Sequence, residues 1–574
     1  MVHLPQTLIT KSTNQGAHQI FGGCRYFCLY RLFRLWCGAL APRDCADARP
    51  LGDPARHRTD SHHLPPACRH SARTTSTTHL KTKRAIIVGA GAGGLSAAVD
   101  LATAGWKVDV FETNSEPGGK MHQRQVGDVG IDSGPTVFTM HWVFDELFKR
   151  AGAVFEDRVR LTESRRLARH AWTDGSHLDL FHDTDQSAHA IADFSDEGNA
   201  QGYRRFCEDG ELVHNLLRDN FMATSQPSPI RLGYRLLRDG GLKSLAVSPH
   251  QSLWSALGNY FSDPRLKQLY GRYATYVGSS PLSTPSTLML IAHVERQGVW
   301  CVDGGMRALA HAIADLAIEH GAQFHYQSPV RKINCTNGRA TSITLASGET
   351  LAADAIIFNG DSAALSDGLL GDDVVKSTRR RKRQDRGLSA ITWCINANTS
   401  GFELDHHNVF FATDYEREFT TIFQSRSVCN EPTVYVCAQD RVNGKLSTDG
   451  KERLLLLINA PADGDHGAWT RPKLEQQRKN ALDVLSRGGL NLAFSEADCV
   501  TTCPDDWHQR FPGSGGSLYG AASHGMFSSF TRPSSASRVK GLYLAGGSAH
   551  PGPGVPMATL SGSIAAHRIQ RDVA

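Results

Sequence analysis

The chain has 574 residues, 40% of them hydrophobic and 21% charged, with a net charge of +5. That describes a globular protein of more than one folded unit and excludes a disordered chain. Residues 1–84 carry 13 Lys/Arg against four acids (Asp44, Asp47, Asp53, Asp60), more than the whole excess of positive charge. The remainder is therefore slightly acidic and offers no nucleic-acid surface.

Residues 1–83 are rich in Arg, His, Ser, Thr and Pro and show no sustained periodicity. They read as a disordered basic tail, a targeting peptide or a non-native extension, outside the fold in each case. Ile20–Ala41 is interrupted by Arg25, Arg31 and Arg34, so it does not offer the roughly 18 apolar residues of a spanning helix. The 13 cysteines include no CxxC pair, and Cys24/Cys28 and Cys499/Cys503 lack a partner pair or a histidine ladder. No metal site is read from them, and buried free thiols in a reducing compartment are expected.

The fold begins with AIIVGAGAGGLSAAVDLATAGWKVDVFE, Ala85–Glu112. An apolar strand meets Gly89, Gly91 and Gly94, then a small-residue helix, then a second strand ending in Glu112. The glycines permit a tight turn, close approach to a pyrophosphate and close helix–strand packing. The acid is placed to accept the hydroxyls of an adenosine ribose. PGGKM (Pro117–Met121) and DSGPT (Asp132–Thr136) follow as loops, and His141–Ala151 has helical spacing. A long insertion, 155–299, contains the basic-apolar stretch Ile230–Ala246. Gly304–Gly321 reads as a helix with Gly321 near its C-cap, and strands at 323–334, 340–346 and 355–358 read as a meander. A second insertion, 363–509, holds the buried-strand run Arg453–Ala460 and the loop Arg379–Arg383, read as solvated. The chain closes with a strand at Gly541–Ala545, a Gly/Pro-rich loop and a helix from about Leu560.

A nucleotide fold at one end and a strand–glycine–helix element at the other imply a discontinuous domain clamping one long cofactor, FAD. Its contacts are Gly89, Gly91, Gly94, Glu112, Gly118, Gly119, Lys120, Gly546 and Gly547. The expected fold class is α/β: a discontinuous, glutathione-reductase-like Rossmann domain (84–154, 300–362, 510–574) with an inserted α+β substrate domain (155–299, 363–509).

The stretches VGAGAGGLSAA (88–98), EPGGK (116–120), GIDSGPTVF (130–138), GVWCVDGGMRAL (298–309) and LYLAGGSAHPGPGVP (542–556) resemble the FAD-dependent amine oxidase superfamily. Within it they resemble the carotenoid desaturases typified by bacterial phytoene desaturase. SSPLSTPSTLMLIAHVE (279–295), HHNVFF (406–411), APADGD (460–465) and FPGSGGSLYG (511–520) are similar to the branch acting on hydroxyneurosporene, the 1-hydroxycarotenoid 3,4-desaturases. Gly546-Gly547-Ser548 departs from the amine oxidase pattern, which carries an acid there.

The resemblance implies an FAD enzyme that inserts a C3–C4 double bond into 1-hydroxy or 1-methoxy acyclic carotenoids. It adds Val330, Pro556 and Met557 as cofactor contacts, and implies cytoplasmic, peripheral association with the inner photosynthetic membrane. Phytoene or neurosporene desaturation, and a non-catalytic carotenoid-binding role, stay open, as does the electron acceptor, quinone or oxygen. Candidate proton acceptors are Glu295 and His550; Asp132 is expected to fix its own turn. The cations around the leucines of Ile230–Ala246 suit either a membrane surface or an ordinary amphipathic helix.

Overall fold

The computed structural model describes residues 82–573 apart from positions 223, 226, 227, 229–237, 239–249, 449 and 468. Ile20–Ala41 and all of Ile230–Ala246 except Arg238 lie outside them.

Ala85, Ile86 and Ile87 are fully buried, as an apolar run must be when both faces of its strand are covered. Their strand, Arg84–Val88, lies at the centre of a five-stranded parallel sheet in the order Leu542–Leu544, Ala355–Phe358, Arg84–Val88, Lys107–Phe111, Gln323–His325. The expected meander is corrected here. Gln323–His325 and Ala355–Phe358 join the parallel sheet, while Val330–Thr336, Arg339–Leu345 and Thr350–Ala352 form a separate antiparallel sheet. The unbroken AIIF of 355–358, buried at every position, was the mark of a doubly covered strand.

Helix Ala92–Thr103 packs against the closing helix, Val555–Asp572. A Cβ at Gly562 would lie 2.0 Å from the Gly93 carbonyl oxygen, so the helices touch backbone to backbone. The Ser96 hydroxyl donates to the Thr559 carbonyl across this contact at 2.7 Å. The closing helix starts five residues earlier than expected because Pro556 sits in its first turn, where a missing N–H costs nothing.

Helices Trp142–Arg150 and Gly305–Glu319 fall where their apolar spacing placed them. Asp132 does not fix its own turn. Its buried Oδ2 accepts from the Met306 amide at 2.7 Å, so it caps the Gly305–Glu319 helix from a distant loop. A buried carboxylate needs donors, and an uncapped helix N-terminus supplies them.

The two insertions build an eight-stranded sheet around Ser389–Gly401, which pairs with Glu452–Ala460 through nine consecutive positions. Strands Arg166–Trp172 and His177–Phe181 lie at one edge. In the basic loop, Arg379, Arg380, Lys382 and Arg383 are exposed as read, but Arg381 turns inward to within 3.5 Å of Asp361.

Candidate cofactor-binding site

The carboxyl ends of the parallel strands open on a cavity of about 480 Å³. Ligands of open α/β sheets sit at such a crevice. The cavity runs from Glu112 and Val330, past the Gly89–Gly93 and Gly546–Ser548 loops, to Thr392, Leu457, Trp507 and Tyr519.

Glu112 ends its strand with a carboxylate 6% exposed. Oε2 accepts from the Ala90 amide at 2.7 Å; Oε1 accepts from the Asn114 amide at 2.9 Å and from its Nδ2 at 2.6 Å. A carboxylate offers about four lone-pair sites, so one remains for a ribose hydroxyl.

In the middle, helix Ala92–Thr103 begins at Gly91 with no side-chain cap and no acid in its first turn. Its free amides suit a pyrophosphate. A Cβ on Gly94 would stand 2.1 Å from the Gly89 carbonyl oxygen, and one on Gly93 would stand 2.6 Å from the Gly546 nitrogen. Gly118 adopts φ +121°, and a Cβ there would meet the Met121 carbonyl oxygen at 2.3 Å. Gly119 brings the PGGKM loop against Gly91, the added Cβ falling 3.2 Å from its Cα.

At the far end, the Lys120 ammonium donates to the Leu518 carbonyl at 2.6 Å and lies 5.2 Å from the Phe511 ring. Burial pushes its pKa down to about 8, against the opposing pull of Asp361. Arg532 is also buried. It donates to the carbonyls of Tyr519, Gly547 and Ala521 at 3.1, 3.2 and 2.8 Å, tying the two loops of this wall together. The Ser133 and Thr392 hydroxyls belong to the cavity wall and are buried; Thr392 has no hydrogen-bond partner, and Ser133 has only the weak Cys394 thiol beside it. Two buried hydroxyls at one end, free helix amides in the middle and a carboxylate at the other end suit a ring system, a pyrophosphate and a ribose. FAD presents these three in that order, so the residues fit it.

Of the sequence-derived contacts, Gly89, Gly91, Glu112, Gly118, Gly119, Lys120, Val330, Gly546 and Gly547 line the cavity, and Gly94 lies behind it as packing. Pro556 and Met557 are not on the wall; their neighbours Val555 and Ala558 are. Neither candidate proton acceptor lines it. Glu295 is buried and accepts from the Tyr273 hydroxyl at 2.7 Å and from the Tyr276 hydroxyl, and burial raises its pKa despite Arg272 nearby. His550 Nε2 lies 3.0 Å from the Phe221 carbonyl, which can only accept, so Nδ1 is bare; it is buried and unpartnered. Burial holds this ring's pKa near about 4, so it is neutral at pH 7.

Asn359 escaped the sequence reading. Its Nδ2 donates to the Gly89 carbonyl at 3.1 Å, and its side chain crowds the positions a Cβ would take on Gly91, Gly93, Gly94 and Gly546. The Asn359-Gly360 pair directly after a buried strand was the available signal. Asp361, which caps helix Ser362–Ser366 and lines the cavity, escaped it as well.

A parallel nucleotide-binding sheet assembled from both ends of the chain, with a long cavity across it and a mixed, mainly antiparallel sheet closing one end, defines an FAD-dependent oxidoreductase. Residues 92–570 match the flavin containing amine oxidoreductases, and the chain belongs to that family. It is 44% identical over 491 residues to the hydroxyneurosporene desaturase of Rubrivivax gelatinosus, covering 85% of this chain and 94% of that one. It is 31% identical over 495 residues to the 1-hydroxycarotenoid 3,4-desaturase of a Flavobacterium, covering 85% and 99%. Among solved structures, a putrescine oxidase redesigned in its cofactor binding superposes with a TM-score of 0.54 at 15% identity, covering 86% of this chain and 100% of that one. That last likeness concerns the fold.

Proposed function

We propose that the protein desaturates the C3–C4 bond of 1-hydroxy or 1-methoxy acyclic carotenoids. The observation that carries this is the similarity to hydroxyneurosporene desaturases, which runs through both insertions as well as the nucleotide domain. Closing the double bond removes a hydride equivalent and a proton from adjacent carbons, and FAD when bound supplies the hydride acceptor.

The chain's own residues hold the substrate and handle the proton. Leu457, Trp507, Leu518 and Tyr519 give the sheet end of the cavity a largely apolar wall, suited to a polyene recognised by burial at about 25 cal/mol per Å². His550 and Glu295 stay the candidates for the proton, His550 with a buried Nδ1 and Glu295 with a carboxylate taken by two tyrosine hydroxyls, but both lie off the cavity wall, so either would act through water or a shift of the loop that carries it. A proton next to an allyl-stabilised charge needs only a weak base.

Among the described residues no helix is long and apolar enough to cross a membrane. The same proposal has the enzyme reach its lipid-dissolved substrate from the cytoplasmic face of the inner membrane. Arg231, Arg235, Arg238 and Lys243 of the Ile230–Ala246 stretch would then lie on anionic headgroups. Flotation with anionic liposomes should fall when these four become Glu; unchanged flotation refutes that contact.

The substrate assignment is tested by incubating the FAD-loaded protein separately with phytoene, neurosporene and 1-hydroxyneurosporene and reading product chromophore length. Extension of 1-hydroxyneurosporene alone is expected. Extension of phytoene or neurosporene with 1-hydroxyneurosporene untouched would overturn it.

A further inference from the structure

The HHNVFF motif contributes nothing to the cofactor cavity. His407 opens strand His407–Phe411 and pairs across the sheet with Cys437 of strand Val434–Ala438, so the two side chains share a face. His406 joins them from the preceding residue. Ligand atoms of all three lie within 4.8 Å of one another.

We propose that His406, His407 and Cys437 form a binding site for a borderline-soft divalent cation, with zinc the natural occupant. Four features of the cluster argue for it. First, His406 Nδ1 lies 2.9 Å from the Arg441 carbonyl, which only accepts, so Nδ1 carries the proton and Nε2 keeps its lone pair, turned toward the Cys437 thiol. That arrangement, a ring N–H fixed on a backbone carbonyl, is how metal-bound histidines are usually oriented. Second, His406 Nε2 stands 3.6 Å from Cys437 Sγ. Zinc at about 2.0–2.1 Å from nitrogen and 2.3 Å from sulfur, in tetrahedral geometry, separates the two ligands by about 3.5 Å. Third, His407 Nδ1 meets the Tyr435 hydroxyl at 2.7 Å, while Nε2 is buried without a partner. An orphaned imidazole nitrogen in a 3% exposed residue is costly, and in the tautomer whose Nδ1–H donates to the Tyr435 oxygen a bound cation would satisfy it.

Fourth, the surroundings suit a cation that carries a thiolate. The Tyr435 and Thr136 hydroxyls lie beside the sulfur, and Asp405 and Asp440 place negative charge near His406. His406 and Cys437, though not His407, line a second cavity of about 920 Å³, which leaves room for a fourth ligand. The cation would pin the His407–Phe411 and Val434–Ala438 strands, a stabilising role that does not depend on the proposed carotenoid chemistry.

The test uses the full-length flavoprotein, stripped with chelator and titrated with Co²⁺ as a spectroscopic stand-in for zinc. Difference spectra should show d–d bands in the red, outside the flavin absorption, with a thiolate-to-metal transition that is lost in Cys437→Ser. Zinc should raise the thermal midpoint of the wild type and leave that of Cys437→Ser or His407→Gln unmoved. Metal bound by the His- and Cys-bearing segment 1–81 survives these substitutions, so only the signal they remove counts. A wild type with no thiolate transition, or one that Cys437→Ser retains in full, overturns the proposal. The wild-type spectrum decides this even if a variant folds poorly.

Discussion

Glu112→Gln isolates the adenosine end of the site, because the two side chains have the same shape and differ in charge and in one donor group. The native carboxylate accepts three hydrogen bonds from Ala90 and Asn114 and keeps one site for the ribose. An amide cannot reproduce this. With its NH2 toward Ala90 it faces one backbone N–H; turned the other way, it faces both donors of Asn114. The less costly orientation leaves the Ala90 amide unsatisfied, at about 1–3 kcal/mol of stability whether or not FAD is present. Losing a ribose bond to a charged acceptor removes about 1.5–3 kcal/mol of binding, which is a loss of FAD affinity of about 10- to 150-fold. Titrating the apoprotein with FAD, read by quenching of flavin fluorescence, gives the second figure; the thermal midpoint of the apoprotein gives the sign of the first. An affinity within about threefold of wild type, with the apoprotein midpoint unchanged, would refute the reasoning.

Gly94→Ala forces a methyl against the Gly89 carbonyl at 2.1 Å and should yield protein purified with several-fold less flavin per chain, measured from the ratio of visible to ultraviolet absorbance. Asp132→Ala removes the remote cap of helix Gly305–Glu319 and should cost about 0.5–2 kcal/mol in chemical denaturation, a size expected of an N-terminal cap. Lys120 gives a pH signature. Its pKa is about 8 when folded against an ordinary 10.5, so between those values the unfolded chain binds more protons and stability rises with pH. The penalty at neutral pH is on the order of 3 kcal/mol. Relative to Lys120→Met, the wild-type apoprotein should therefore gain thermal stability from about pH 8 toward pH 10.5, and parallel curves would contradict this.

The glycine-rich turn and the acid 18 residues beyond Gly94 were legible because their spacing is dictated by a phosphate and a ribose at fixed separation. The strands at 84–88 and 452–460 were legible because apolar runs of that length have few alternatives. What the chain order concealed was contact between distant segments. Gly93 falls outside the spaced glycine motif, yet it is needed because the Gly546 loop, some 450 residues later, closes onto it. Asp132 looked like a turn residue because its partner, the Met306 amide, is 174 residues away. Strand pairing was misassigned at 323–334 because sequential adjacency favours a meander, whereas burial on both faces of 355–358 drew that strand into the parallel sheet. The His406–His407–Cys437 cluster was invisible for the same reason: its third member arrives through a cross-strand register, not a spaced motif.

The most direct test of the proposed chemistry is the reductive half-reaction alone. The FAD-loaded protein is mixed anaerobically with one equivalent of 1-hydroxyneurosporene in detergent or liposomes, and flavin absorbance is followed together with the carotenoid spectrum. Bleaching of the oxidised flavin is expected in step with a longer polyene chromophore, one double bond per flavin. A flavin that stays oxidised while the carotenoid binds unchanged would contradict it.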